Sequence, residues 1–268
     1  MNNLHRELAP VSSGAWAQIE EEAARTLKRY LAARRVVDVN GPGGAELSAV
    51  GTGHQRPIKA LNDGVVAAQR EVKPLVQLRA AFELAREAID AVDRGAQDSD
   101  WSPLKEAARR IAFAEDRAVF EGHAAAGIQG LRQVTSNPVS TLPKDVKSYP
   151  DAIARAVNQL RLAGVNGPYA LLLGAEPFTA INGASDDGYP VLKHVQGLVD
   201  KEIIWSPAID GGVVLTTRGG DFDLHLGQDI SIGYLGHTDT TVRLYLQETF
   251  TFIAQTAEAA VMFALPKK

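Results

Sequence analysis

Residues 41–74 place the strongest constraint on what this chain can fold into. Gly41, Gly43, Gly44, Gly51, Gly53 and Gly64 punctuate the stretch, and its apolar residues are scattered. Such a segment cannot bury a core by itself. It is either disordered or an extended arm that becomes ordered against something else. The 268 residues are enough for one large domain or two modest ones around it.

Both flanks of the arm look well folded. Before it, Ser12 or Ser13 can cap a helix running to about residue 33, with Trp16, Ile19, Ala23, Leu27 and Tyr30 on one stripe and Leu31 beside them. A short strand is predicted at 36–39, ended by Gly41-Pro42-Gly43-Gly44. After the arm, Val76, Leu78, Ala80, Phe82 and Leu84 alternate with other residues, as in a half-buried strand. Ser102 as N-cap with Pro103 at the first helical position opens a helix to about Gly122, with Leu104, Ala108, Ile111, Ala112 and Val119 inward. At about 1.5 Å per residue it is a rod of about 30 Å, with Glu106 and Arg110 spaced as an i,i+4 pair. The middle of the chain reads as mixed α/β: a helix from Pro150 to Gly164, a strand at 169–173, a short helix near 177–181 and a polar loop at 182–189. Five strands follow, at 213–217, 222–226, 230–234, 242–252 and 259–265.

Composition narrows the function. Lys plus Arg number 28 and Asp plus Glu 32, a net charge of -4, which disfavours a protein that coats nucleic acid. With no cysteine, disulfides, thiolate chemistry and Cys-based zinc sites are excluded. The start MNNLHRELAP has no apolar leader core and no stretch reaches membrane-spanning length, so a soluble intracellular protein is expected. G-x-x-x-x-G-K-[ST], G-x-G-x-x-G, G-x-S-x-G and H-E-x-x-H are all absent. Asp221, Asp223 and His225 would share one face of a strand and could ligate a divalent cation, but a solvated strand face explains them better. His237 with Asp239 could pair for acid–base work, yet no nucleophile or orienting group accompanies them. No metal site and no catalytic residue are assigned.

Several short motifs occur in order along the chain: Asn2-Asn3-Leu4, Leu8-Ala9-Pro10, Trp16, Arg35-Val36-Val37-Asp38-Val39, Lys73-Pro74-Leu75 and Glu115-Asp116-Arg117. Arg218-Gly219-Gly220-Asp221-Phe222, Leu226-Gly227-Gln228-Asp229-Ile230 and Glu248-Thr249-Phe250-Thr251-Phe252 follow. On these the chain resembles the encapsulins, bacterial nanocompartment shell proteins once described as linocin-type bacteriocins, and its actinobacterial branch in particular. The resemblance implies an α+β fold like that of tailed-phage major capsid proteins. Residues 1–40 and 75–122 would build a peripheral domain with the long helix as its spine, and 41–74 would be the extended loop across a neighbour. Residues 123–222 would form the axial domain, with 223–268 completing the peripheral one.

It also implies a shell of about sixty copies, by icosahedral closure, around a cargo enzyme: a dye-decolourising peroxidase or a ferritin-like protein, held by its C-terminal peptide. Carried onto this sequence, the peptide dock falls on Leu27, Leu31, Arg34 and Asp38, with Ile230, Ile232 and Tyr234 on the strand side. The plainer alternative makes the apolar members core and Arg34 with Asp38 a structural ion pair. Asp186, Asp187 and Tyr189 would line the five-fold opening. Some relatives stack a flavin on an aromatic residue after the strand at 76–84; Arg86-Glu87-Ala88 stand here, so no flavin or other cofactor is expected. A prophage or viral capsid subunit packaging DNA is the main competing reading, and a secreted hydrolase or bacteriocin the weaker one. The acidic balance favours a cytoplasmic compartment without nucleic acid or a membrane span.

Overall fold

The computed structural model describes residues 3–267, so Asn2, one residue behind the resemblance, lies outside the described part. Ser12 has extended backbone and its Oγ accepts from the Ala15 N–H at 3.2 Å, starting helix α1 (Ser13–Tyr30). Ala15, Ile19 and Ala23 are its buried stripe. The helix stops three residues before the expected residue 33. Both carboxylate oxygens of Asp116 accept the Ala32 and Ala33 N–H groups, at 3.0 and 2.9 Å, and turn the chain into a 3-10 turn (Ala33–Arg35). Strand β1 (Asp38–Asn40) therefore begins at Asp38 rather than at residue 36.

The arm resolves into two antiparallel strands, β2 (Ala49–Ile58) and β3 (Ala67–Pro74), paired only with each other. No residue from 41 to 74 is buried. Strand β4 (Val76–Ala85) keeps the expected alternation, with Phe82 and Leu84 fully inward. Helix α2 (Arg86–Asp93) was not expected; at eight residues it is too short for a persuasive period. The long helix α3 (Ser102–Phe120) has Trp101 at its N-cap, while the capping acceptor is Asp100, whose Oδ1 takes the Ser102 N–H at 2.9 Å. Arg110 donates to the Ala81 carbonyl instead of to Glu106, which pairs with Arg109 at 2.8 Å.

The rest of the chain runs α4 (Leu131–Val134), β5 (Ser140–Thr141), α5 (Tyr149–Leu162), β6 (Tyr169–Leu173), α6 (Ala175–Gly183), β7 (Ser185–Asp186), β8 (Tyr189–Pro190) and α7 (Val191–Gln196). It ends with β9 (Ile204–Trp205), β10 (Gly212–Thr216), β11 (Phe222–Leu226), β12 (Ser231–His237), β13 (Thr241–Ala254) and β14 (Ala260–Ala264). Strand β13 spans 14 residues and pairs antiparallel with β4, β12 and β11, while β1 joins β11 in parallel. A second mixed sheet has the order β5-β14-β10-β6-β9. Strand β14 joins this second sheet, not the one holding β11–β13. The run Ala260-Val261-Met262-Phe263 is buried throughout, which suits a central strand covered on both faces.

The core falls into two clusters. The first gathers Ile19, Leu84, Leu104, Ile111, Ile232 and Leu244 from α1, β4, α3, β12 and β13. The second gathers Phe120, Ile153, Leu172, Val214, Phe250 and Phe263 around the second sheet. Helix α3 and strand β13 run through both.

Candidate functional site

Where α3 and β13 cross from one cluster to the other, polar residues replace apolar ones. On α3, Glu115 and Asp116 follow Ile111 of the first cluster and precede Ala118, Val119 and Phe120 of the second. On β13 the inward positions read Val242, Leu244, Leu246, Glu248, Phe250, Phe252, so Glu248 stands at the same boundary. Glu115, Asp116 and Glu248 are fully buried. Arg34 serves them: its Nε lies 2.9 Å from Glu115 Oε1, and its Nη2 lies 2.5 Å from Glu115 Oε2 and 3.2 Å from Glu248 Oε2. Its Nη1 reaches Asp229 Oδ1 at 2.7 Å. These carboxylates hold the Arg34 guanidinium charged against the desolvation that opposes it. Burial pushes the Asp116 carboxyl up to about 8 despite its two backbone donors, and pushes Glu248 well above the ordinary range, with Glu115 adding repulsion.

This placement changes the reading of the expected dock. Arg34 and Asp38 do not pair with each other: the Asp38 carboxylate accepts the Gly220 N–H at 2.6 Å, ahead of β11. Leu31 is buried. Leu27, Ile230 and Tyr234 are half-buried and pack, with buried Ile232, on the first cluster. Tyr234 also hydrogen-bonds His237 through its hydroxyl, which leaves Asp239 out of any pair with that ring nitrogen.

The expected loop at 182–189 begins inside α6 and continues as a hairpin over 185–190, with Asp187 (φ 44°) and Gly188 (φ 85°) turning β7 into β8. Asp186 sits 3.3 Å from Lys147 Nζ, and half-exposed Tyr189 stacks on His194 at 4.5 Å. Asp221 is held by Arg218 at 2.9 Å, and Asp223 accepts from Asn40 and Gln255, at 2.9 and 3.0 Å. Among the described residues no group of three His, Asp or Glu side chains is placed to hold a metal, and no helix is long and apolar enough to cross a membrane.

The buried cluster around Arg34 was missed, although its signal is present. Glu115 falls on the stripe of Leu104, Ala108, Ile111, Ala112 and Val119, and Glu248 in the inward phase of an alternating strand. An acid in an apolar register announces a buried partner.

The family described as encapsulating protein for peroxidase matches residues 1–251. A type 1 encapsulin shell protein of Rhodococcus erythropolis is 60% identical over 264 residues, covering 98% of this chain and 100% of that one. Among solved structures, the virus-like particle of Pyrococcus furiosus superposes with a TM-score of 0.62 at 16% identity, covering 92% of this chain and 98% of that one. Mycobacterium phage Bobi gives 0.55 at 14% identity, with 91% and 90% covered, so the fold is that of phage capsids. With a family match over nearly its whole length and a capsid fold under it, the chain belongs to the type 1 encapsulins, shell proteins that are structural and not enzymes.

Proposed function

We propose that this shell protein closes into an icosahedral nanocompartment of about sixty copies in the cytoplasm, around a cargo enzyme. The cargo is a dye-decolourising peroxidase, in keeping with the family's description, or a ferritin-like protein. The observation that carries the assembly reading is the bare arm. Ile58, Leu61, Val65, Val66 and Val72 are exposed on a ribbon with no core behind it, and contact with neighbouring copies would bury them. The hairpin of Asp186, Asp187 and Tyr189 is assigned to the opening at the five-fold axis.

The cargo's C-terminal peptide is assigned to the apolar patch of Leu27, Ile230, Ile232 and Tyr234. A few apolar anchors suffice for a short tail, and many equivalent sites facing a multimeric cargo add avidity. Buried Leu31 and the ion-paired Arg34 are assigned to supporting that patch, and half-buried Asp38, engaged with Gly220, to its surroundings rather than to peptide contact. Co-expression with a peptide-tagged cargo tests this through the cargo-to-shell ratio of size-selected particles. Leu27→Asp, Ile230→Asp and Tyr234→Ala are expected to empty the shells while leaving them closed. Wild-type loading in all three would place the dock elsewhere.

A further inference from the structure

The carboxyl groups around Arg34 outnumber the positive charge available to them. Glu115 and Glu248 are both fully buried, both face one guanidinium, and Asp229 takes a third share of it from the solvent side. The share is unequal. Glu115 receives three bonds, at 2.9, 3.0 and 2.5 Å, whereas Glu248 receives one of 3.2 Å through Oε2. Glu248 Oε1 is buried and no donor reaches it. Two buried carboxylates side by side with a single cation are electrostatically untenable; one of them takes a proton. A protonated Glu248 can donate to the neighbouring Glu115 carboxylate, with which its side chain hydrogen-bonds.

The position of this group gives the proton a consequence. Four crossings between the two hydrophobic clusters carry a member of it: Arg34 after α1, Glu115 and Asp116 on α3, Asp229 between Leu226 and Ile232, and Glu248 on β13. The fifth crossing, on β4, places only Leu78 opposite Glu248. The charged and titratable groups facing Glu248 are therefore Glu115 from α3, Arg34 from the turn after α1, and Asp229 from the loop before β12, while Asp116 on α3 is turned to the Ala32 and Ala33 amides.

We infer that Glu248 is a proton-holding residue at the seam between the two cores and makes the cohesion of the subunit depend on pH. The sign follows from linkage. A carboxyl whose folded pKa lies above its unfolded value contributes stability that is complete below the ordinary carboxylate range. That stability is lost as pH rises through the folded value. Acidification tightens the seam; alkalinity places a second uncompensated charge inside it.

The test uses the assembled particle. Glu248→Gln keeps the shape and a donor but cannot ionise, and Asp116→Asn serves as the control for the neighbouring raised carboxyl. Above the ordinary carboxylate range the wild-type melting midpoint is expected to fall by about 2–4 °C per pH unit for as long as the folded state keeps the proton that the unfolded state has released. Glu248→Gln is expected to flatten that slope and to melt above wild type at the alkaline end, with Asp116→Asn keeping the Glu248 share of it. Infrared spectra near neutral pH supply the second readout. The protonated-carboxyl C=O band of wild type is expected to weaken in Glu248→Gln. A Glu248→Gln slope equal to wild type, an undiminished band, or failure of this variant to fold would overturn the inference.

Discussion

Leu61 and Val66 at the end of the arm are 98% and 95% exposed, whereas Glu115 and Glu248 at the seam are wholly buried. The usual placement of apolar side chains inside and carboxylates outside is reversed in both regions. The seam finds its partners within the chain, in Arg34 and the backbone amides of Ala32 and Ala33. The arm's partners are assigned to the outside, in other copies. On this assignment the seam governs whether a subunit folds and the arm whether subunits assemble, and variants should separate the two.

The largest effect is expected from deleting residues 45–66 of the arm. The two cores remain intact, but particles should be replaced by small oligomers or aggregates in size-exclusion chromatography. A milder version, Leu61→Asp with Val66→Asp, is expected to lower particle yield while leaving the subunit's circular dichroism unchanged. At the seam the pattern inverts. Arg34→Ala strands Glu115 and Glu248 without their cation and is expected to cost about 3–5 kcal/mol in denaturant unfolding. Smallest is Ser12→Ala, which removes the cap on Ala15 and a 2.6 Å bond to Asp93. It is expected to cost about 1 kcal/mol without changing assembly.

The sequence made some parts of this molecule plain and hid others. The strand at 169–173 and the alternation of β4 were legible because local pattern and burial agree there. The end of α1 was not, since it is set by Asp116, more than 80 residues away. Helices α2 and α7, at eight and six residues, are shorter than a reliable period. Strand β14 reads correctly as a strand, but its sheet is decided by pairing with β10 and β5, a choice that local pattern does not encode. Around Arg34 the same holds: its partners Glu115, Asp229 and Glu248 are far along the chain, and no local spacing links them to it.

The assembly claim is tested most directly by measuring the size of the intact purified chain, by native mass and electron microscopy on one sample. The account predicts closed particles of about sixty subunits, in the megadalton range, with almost no free monomer. A stable, monodisperse monomer would contradict it.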